Sequence, residues 1–280
     1  MMDLAAFFED VLRDEGFQPE RTKHGSISFK FEGGRYYMLL DDNDPDYFYL
    51  LYPGFWEVDV DGYAEALRIA NELTREKKAV KIYLSADGAY VSASVEQFVA
   101  GLENVRGTFM CSLRALQAAG REFTAQMRRS AEERAREVHK RLVQQRIAAA
   151  FDAAGHVDLA LILTEGYTND DPARPPDGWP PGPEGYHAYG AMYRGAFADL
   201  TPTVAYQVAE GDSVATYWTA QGTHVGPFMG YSPSQQRVTL RAISIDRLES
   251  ERIAETLTIL DLADLQRQLD PGSSQHQEEG

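Results

Sequence analysis

Several features that are common in other proteins are scarce in this sequence, and each absence excludes a class of function or of structure. The single cysteine, Cys111, excludes an internal disulfide, and no apolar run approaches the roughly 20 residues that span a bilayer. Basic residues are also few. The 27 Lys and Arg stand against 43 Asp and Glu, and the formal net charge of -16 repels nucleic-acid phosphates and anionic membrane surfaces. We therefore expect no nucleic-acid partner and no membrane partner.

Motifs of metal and cofactor sites are missing as well. The six histidines lie apart without paired metal-ligand spacing, and no glycine-rich phosphate loop or GxSxG elbow occurs. We expect neither a metal nor another cofactor. The opening residues, Met1–Leu4, do not resemble a signal peptide, which together with the single cysteine predicts a cytoplasmic protein. Cys111 shares helical spacing with Phe109 and Leu113 and is expected to be buried.

The length of 280 residues suffices for two ordinary domains, and 44% hydrophobic with 25% charged residues is typical of globular proteins. Residues 124–138 are polar nearly all round with interleaved Arg and Glu, which is typical of a solvated helix between domains. We place the boundary near residue 130. The expected domains are residues 1–128 and 129–270, and residues 271–280, which lack apolar side chains, are expected to be disordered.

The first domain alternates helical and strand patterns. They predict helix 3–15, strands 27–31, 35–40 and 47–52, helix 62–77, strands 80–84 and 89–94, and helical segments 95–101 and 109–123. This order predicts an α+β sandwich with helices on one antiparallel sheet. Together with the aromatic strand Tyr47–Leu50 and the Asp87-Gly88 hairpin, it resembles the YbjN-like or type III secretion chaperone-like domain. The resemblance implies a protein partner for this domain.

Aromatic residues are unusually frequent in the first domain. They belong either to a surface patch for that partner or to the core, and they are Tyr36, Tyr37, Phe48, Tyr49, Tyr52, Phe55 and Trp56.

The second domain shows a different order. Its patterns predict helices 139–154, 157–163 and 186–198, strands 203–209, 213–223, 237–248 and 253–260, and a last helix at 262–269. Residues 170–185 contain six prolines and three glycines, so they are expected to form a linker or lid without regular structure.

The stretch Ala209–Gly230 carries the most specific motifs. AEGDSV and GTHVGPFMG resemble the "AEGD-V … GTH-G-F-G" core of the SnoaL-like polyketide cyclase (ester cyclase) family, and Ala196–Leu200 and Arg247–Leu269 resemble further motifs in the same order. The resemblance covers about Val138–Asp270. It implies a nuclear transport factor 2-like α+β barrel, a cone in which helices cradle a strongly bent antiparallel sheet around a pocket.

The resemblance also implies a small apolar carbonyl ligand and a cofactor-independent cyclase or isomerase. By its motif Asp261 takes the acid/base role, and strand parity places Leu257 and Ile259 on the same face, toward the pocket. An apolar cavity raises the pKa of a carboxyl group, which suits proton exchange with a carbon acid near neutral pH. The alternative is that Asp261 caps the last helix.

Other residues complete the implied site, each with an alternative. His224 either orients a substrate carbonyl or is a turn histidine bonded to the backbone. Asn169, beside Tyr167 at the pocket mouth, either binds the ligand or caps a loop. Trp218 is either a pocket wall or a core residue.

Two departures from the family pattern bear on the chemistry. The family's arginine in the strand before the GTH motif is Tyr217 here, and its late tryptophan is Leu257. A second hypothesis therefore stays open, because a fold does not decide a function. In it, the chain is a non-catalytic interaction or chaperone-like protein that uses both domains for association, including a homodimer.

Overall fold

The chain divides into two compact units, Met1–Ala131 and Glu132–Gly280, called unit 1 and unit 2 below. The computed structural model describes residues 3–101 and 104–269. The tail predicted to be disordered, residues 271–280, lies outside the described residues. None of the helices within the described ranges is long and apolar enough to cross a membrane.

Unit 1 is built on one antiparallel sheet. Its helices are α1 (Leu4–Asp14), α2 (Tyr63–Glu76) and the first part of α3 (Val105–Phe151). Its strands are β1 (Glu20–Arg21), β2 (Ile27–Phe31), β3 (Gly34–Leu39), β4 (Tyr47–Glu57), β5 (Val80–Leu84) and β6 (Tyr90–Phe98). They lie in the order β1-β2-β3-β4-β6-β5.

The helix-covered face of this sheet is apolar. Alternate strand residues enter the core with residues of all three helices, and these strand residues include Ile27, Phe29, Tyr36, Met38, Phe48, Leu50, Ile82, Val91 and Val95. The helix predicted at 95–101 is wrong, because β6 stays paired with β4 as far as Phe98. The predicted burial of Cys111 is also wrong: α3 buries Phe109 and Leu113, while Cys111 is exposed.

Unit 2 starts with the last part of α3 and contains α4 (Leu159–Ile162), α5 (Gly182–Ala196) and α6 (Leu262–Leu269). Its strands are β7 (Leu163–Asp170), β8 (Phe197–Glu210), β9 (Ser213–His224), β10 (Arg237–Glu249) and β11 (Arg252–Leu260). The sheet order is β7-β11-β10-β9-β8. Strand β7, which is absent from the predicted elements, runs parallel to β11, and the other neighbours are antiparallel.

The unit 2 sheet has a covered inner face and an exposed outer face. Every second residue of β9 and β10 is buried, so the two faces alternate along each strand. Inner-face residues form one core with buried residues of α3 and α5. The pairing of β8 with β9 shifts register near Ala198 and Val204, and such irregularities are typical of strands that bend. The bent sheet and its helices enclose the interior in which the candidate site lies.

The proline-rich connection between β7 and α5 passes close to the start of α5. Residues 171–181 contain no helix or strand, as predicted, but α5 begins at Gly182, before the predicted start at residue 186. A Cβ atom on Gly185 would lie 1.7 Å from the carbonyl oxygen of Pro180. Only glycine therefore lets the loop approach the helix so closely.

Candidate functional site

The inner face of the unit 2 sheet carries two rows of buried polar residues. Thr258, Ser244 and Thr216 lie directly opposite one another on β11, β10 and β9. In the adjacent row Thr256 of β11 lies opposite Asp246 of β10. All five are buried. Buried polar groups destabilise a fold unless they find partners, so the partners of these rows define the site.

The carboxylate of Asp246 is neutralised by a buried arginine of α3. Arg146 is 1% exposed, and its Nε lies 2.8 Å from Asp246 Oδ1 while its Nη2 donates to Asp246 Oδ2 at 3.3 Å. Burial alone would lower the pKa of Arg146, but the charge of Asp246 outweighs this and raises it. Arg146 therefore keeps its charge although it is buried.

Neighbouring hydroxyl groups complete this buried network. Thr256 Oγ1 donates to Asp246 Oδ1 at 2.7 Å, and Ser244 Oγ accepts from Arg146 Nη2 at 3.1 Å. Tyr186 of α5 donates to the backbone oxygen of Arg146 at 2.7 Å and accepts from its Nη1 at 3.2 Å. Because each charge has several partners, this network stabilises one arrangement of α3, α5 and the sheet.

A second buried carboxyl group, that of Asp171, differs from Asp246 because no buried cation pairs with it among the described residues. It lies one residue beyond the end of β7 and is 2% exposed. The Tyr193 hydroxyl and the Ala173 N–H donate to its Oδ1 at 3.2 and 2.8 Å. No ion pair within the described ranges includes it. Burial raises the pKa of Asp171, although these hydrogen bonds oppose the shift.

Aromatic rings surround this carboxyl group. The ring centroids of Tyr189 and Tyr193 of α5 lie 5.0 Å apart. The ring of Trp179, in the proline-rich loop, is edge-on to Tyr189 at a centroid distance of 5.9 Å, and the Phe228 ring lies 5.3 Å from that of Tyr193. Burial raises the pKa of Tyr189 and Tyr193 well above the usual value, so both hydroxyls keep their protons and act as donors. Asp171 therefore faces an apolar interior with phenol donors.

Polar atoms without partners lie beside Asp171. Asn169 of β7 is opposite Thr256, and Thr258 is the next inner-face residue of β11, so both are close to the end of β7. Both side-chain atoms of Asn169 and the hydroxyl of Thr258 are buried without a hydrogen-bond partner among the described residues. Such atoms are satisfied when a ligand or water occupies the interior. We therefore define the candidate site as Asp171, Asn169, Thr258, Tyr189 and Tyr193.

His224 ends β9 and presents a buried donor. The backbone N–H of Ser234 donates to its Nδ1 at 3.2 Å, so Nδ1 accepts and the ring proton is on Nε2. Nε2 is buried without a partner among the described residues, and the ring lies 5.3 Å from Phe197. The backbone contact predicted for a turn histidine is thus present, together with a free donor.

Tyr167 and Trp218, two further predicted site residues, are buried in the unit 2 core. Tyr167 packs edge-on against Tyr186 at 5.7 Å, and Trp218 packs at a tilt against Phe151 at 5.8 Å. The Trp218 Nε1 donor has no partner within the described ranges. Both residues line the interior of unit 2.

The predicted placement of Asp261, Leu257 and Ile259 is wrong. Asp261 is exposed and accepts from the Asp264 N–H at 2.9 Å, which makes it the cap of α6. Leu257 and Ile259 are 41% and 56% exposed on the outer face. The physical reason is that β11 turns Thr256, Thr258 and Leu260 inward, so Leu257 and Ile259, which have the opposite parity, lie on the outer face.

Sequence reasoning missed Arg146, Asp171 and Asp246. Asp246 could have been found, because Ser244 and Asp246 share the parity of Val238, Leu240, Ala242 and Leu248, the otherwise apolar face of β10. Asp171 lies in a proline-rich loop beside the exposed Asp170, and nothing in the pattern distinguishes them. No group of three or more potential metal ligands occurs within residues 3–101 and 104–269.

The comparisons with known proteins concern unit 2. Residues 141–269 match the family model described as SnoaL-like polyketide cyclase. Among solved structures, TsrD from Streptomyces laurentii is 29% identical in sequence. The match covers 48% of this chain and 96% of the TsrD chain, with a TM-score of 0.42. Wild-type IdmH from Streptomyces antibioticus, a proposed polyketide cyclase, is 27% identical, with coverage of 47% and 97% and a TM-score of 0.40.

A SnoaL-like polyketide cyclase from Agrobacterium tumefaciens strain C58 is 18% identical, with coverage of 48% and 97% and a TM-score of 0.38. No curated protein matches the chain. The family match confirms the predicted resemblance and identifies residues 141–269 as a SnoaL-like polyketide cyclase domain. Unit 1 lies outside the match, so its YbjN-like resemblance stays a prediction.

Proposed function

We propose that the SnoaL-like domain binds a small carbonyl compound of the polyketide type in its interior and catalyses a cofactor-independent cyclisation or isomerisation. The observation that carries the proposal is Asp171, a buried carboxyl group whose pKa is raised by burial and which no described cation neutralises. A carboxyl group whose pKa is raised is a stronger base in its ionised form and is suited to proton exchange with a carbon acid. Asp246, by contrast, is occupied by Arg146.

The proposed chemistry needs only residues of the interior. The Asp171 carboxylate removes a proton from the carbon beside the substrate carbonyl, and the electron pair moves onto the carbonyl oxygen. The Asn169 amide donates to that oxyanion, while His224 Nε2 orients a second carbonyl. Attack of the enolate carbon on the second carbonyl forms the new C–C bond. The resulting alkoxide then takes the proton back from Asp171, so the reaction needs no co-reactant.

Proton exchange on a simple ketone tests this proposal without a known substrate. We expect the full chain in D2O to accelerate exchange of the α-protons of 1-tetralone, followed by NMR, and Asp171→Asn to lose most of the acceleration, on the order of 100-fold or more. Asp261→Asn is the matched control, because that carboxylate is an exposed helix cap and the same substitution there leaves exchange unchanged.

Two outcomes would contradict the assignment. Wild-type protein without any acceleration would remove the catalytic role. Loss of exchange in Asp261→Asn with activity kept in Asp171→Asn would move the acid/base role to Asp261, as the family motif implies.

A second candidate function, association, is favoured by the outer face of the unit 2 sheet. Two exposed rows cross four strands without a break, namely Tyr206, Tyr217, Ile243 and Ile259, and Val208, Ala215, Ile245 and Leu257. Arg247 forms ion pairs with Glu249 and Glu255 beside them. A continuous apolar patch with a polar rim is typical of an interface. The proposed partner is a second copy of the chain.

Sedimentation of the full chain tests the homodimer. We expect a dimer for the wild type and a monomer for Ile243→Lys, because a lysine at the centre of the apolar rows is desolvated on association. Ser213→Lys, at the exposed start of β9, is the control and stays dimeric. A monomeric wild type at all concentrations would exclude this interface.

The protein partner proposed for unit 1 depends on its uncovered sheet face. Of the seven aromatic residues considered above, Tyr36 and Phe48 are core residues, and the other five are half-buried. Tyr37 and Tyr49 belong to the uncovered face. Tyr47 lies two residues before Tyr49 on the same strand, and its hydroxyl group donates a hydrogen bond to Glu96 at 2.9 Å. This face supports the proposed chaperone-like partner, which an affinity measurement with Tyr49→Lys would test.

A further inference from the structure

Unit 1 contains a groove between its sheet and helix α3 that the functions proposed above do not use. Tyr36, Tyr52 and Phe55 form the strand side, and residues 117–128 of α3 form the other side. Its volume is about 310 Å³. That volume is at the lower end of small-molecule sites and suits a ligand of one or two rings.

The strand side of the groove is a stack of aromatic rings. The Tyr36 and Tyr52 rings lie 4.4 Å apart at an angle of 23°, and the Tyr52 and Phe55 rings lie 5.1 Å apart at 21°. Tyr36 is buried, whereas Tyr52 and Phe55 are half-buried and line the opening. A flat aromatic ligand extends such a stack at low conformational cost.

Two glycines leave space for the Tyr52 ring, which is the central ring of the stack. A Cβ atom on Gly34 would lie 3.0 Å from Tyr52 Cε2, and one on Gly120 would lie 3.0 Å from Tyr52 Cε1. Both contacts would be tighter than side chains normally accept, so the missing side chains at Gly34 and Gly120 give the Tyr52 ring room in its present position. The groove is formed before any ligand binds, which lowers the entropy lost on binding.

The helix side of the groove supplies positive charge. Arg121 pairs with Glu32, which also accepts from Gln117. Arg128, two turns further along α3, is exposed and has no ion-pair partner within the described ranges. The rim thus has an available guanidinium group in a chain whose formal net charge is -16. A guanidinium group binds carboxylate oxygens in bidentate geometry.

We propose that this groove binds a planar aromatic carboxylate of one or two rings. The ligand ring stacks on Phe55, the end of the stack that lines the opening, and the carboxylate accepts hydrogen bonds from Arg128. The acidic excess of the chain opposes anions elsewhere on the surface, so Arg128 gives the groove its selectivity.

Calorimetric titration of the full chain with 2-naphthoate at low ionic strength tests this site. We expect saturable binding that Arg128→Gln weakens about fivefold to twentyfold, through loss of a charge-assisted hydrogen bond. Arg129→Gln removes the same charge from the neighbouring exposed residue outside the groove and leaves the affinity within about twofold. The uncharged probe 2-naphthamide binds wild type and Arg128→Gln equally.

Three results would overturn the proposal. The first is a wild-type protein without saturable binding of 2-naphthoate. The second is equal weakening by Arg128→Gln and Arg129→Gln, which would reduce the effect to bulk charge. The third is binding that Trp179→Phe weakens and Arg128→Gln does not, which would place the probe in the interior of unit 2. Activity at Asp171 is independent of all three results.

Discussion

The covered faces of the two sheets differ in polarity. That of unit 1 is apolar, whereas that of unit 2 combines apolar residues with five polar ones, Thr216, Ser244, Asp246, Thr256 and Thr258. Burial of apolar area stabilises the first arrangement directly, while desolvation destabilises the second unless every group has a partner. Unit 2 therefore keeps polar groups in its interior at a desolvation cost that hydrogen bonds and the buried ion pair offset.

The largest expected effect comes from breaking the buried ion pair of unit 2. Arg146→Met leaves Asp246 buried without its cation, so we expect the free energy of unfolding of unit 2 to fall by about 3–5 kcal/mol. Urea denaturation in a Trp56→Phe background measures it, because Trp179 and Trp218 then report unit 2 alone. Replacing both partners, with Arg146→Met and Asp246→Leu, should restore much of the loss. A single variant as stable as wild type would show that the pair is solvated.

The matching change in unit 1 removes apolar volume instead of charge. Leu50→Ala empties a fully buried position of β4 and should cost about 2–4 kcal/mol. Emission of Trp56, in a chain with Trp179→Phe and Trp218→Phe, measures the unfolding of unit 1. Leu51→Ala is the control, because the adjacent leucine is half-buried on the uncovered face, and its cost should be about 1 kcal/mol or less. Equal costs at both positions would contradict the assignment of the covered face.

The pH dependence of stability tests the state of Asp171. Its pKa is raised from 3.8 in the folded protein, so the folded state binds more protons than the unfolded state between these two pKa values. Its contribution to stability is therefore fully present below pH 3.8 and is lost as pH rises through the folded pKa.

Asp171→Asn should lack this pH-dependent loss, so the stability difference between wild type and variant changes with pH above about 4. The control is Asp170→Asn, because Asp170 is exposed and paired with Arg174 at 2.8 Å. Urea denaturation at several pH values measures both differences. A difference between wild type and Asp171→Asn that does not vary with pH would show that Asp171 is solvated.

The smallest expected effect distinguishes two threonines on the same strand. Thr258→Val should change the stability of unit 2 by less than about 1 kcal/mol, because the hydroxyl group has no hydrogen-bond partner among the described residues. Thr256→Val should cost about 1–2 kcal/mol more, because that hydroxyl donates to Asp246 at 2.7 Å. Chemical denaturation of both variants gives the comparison. A larger loss for Thr258→Val would mean that its hydroxyl group is already bonded.

Much of the unit 2 fold follows from periodicity. The alternation in residues 213–223, 237–248 and 253–260 predicts three strands, each of which the structure extends by a single residue at one end. Strand β7 escapes prediction because a parallel edge strand with Gly166, Thr168 and Asn169 has neither alternation nor an apolar run. Of the site residues that the sequence predicts, Asn169, His224, Tyr167 and Trp218 are buried or half-buried and Asp261 is exposed, and their functional roles stay predictions.

The sequence alone determines the net charge, which is set by composition. It also predicts the irregular loop at 171–181, the alternating strands and the family motifs, because each of these depends on residues that are neighbours in the chain. Alternation separates two faces of β11 but does not say which face the helices cover. The tertiary structure alone decides that Thr256 and Thr258 face inward, that Asp171 is buried while Asp170 is exposed, and that Arg146 reaches Asp246. Desolvation and charge pairing arise from residues about 100 positions apart, and no local pattern encodes that proximity.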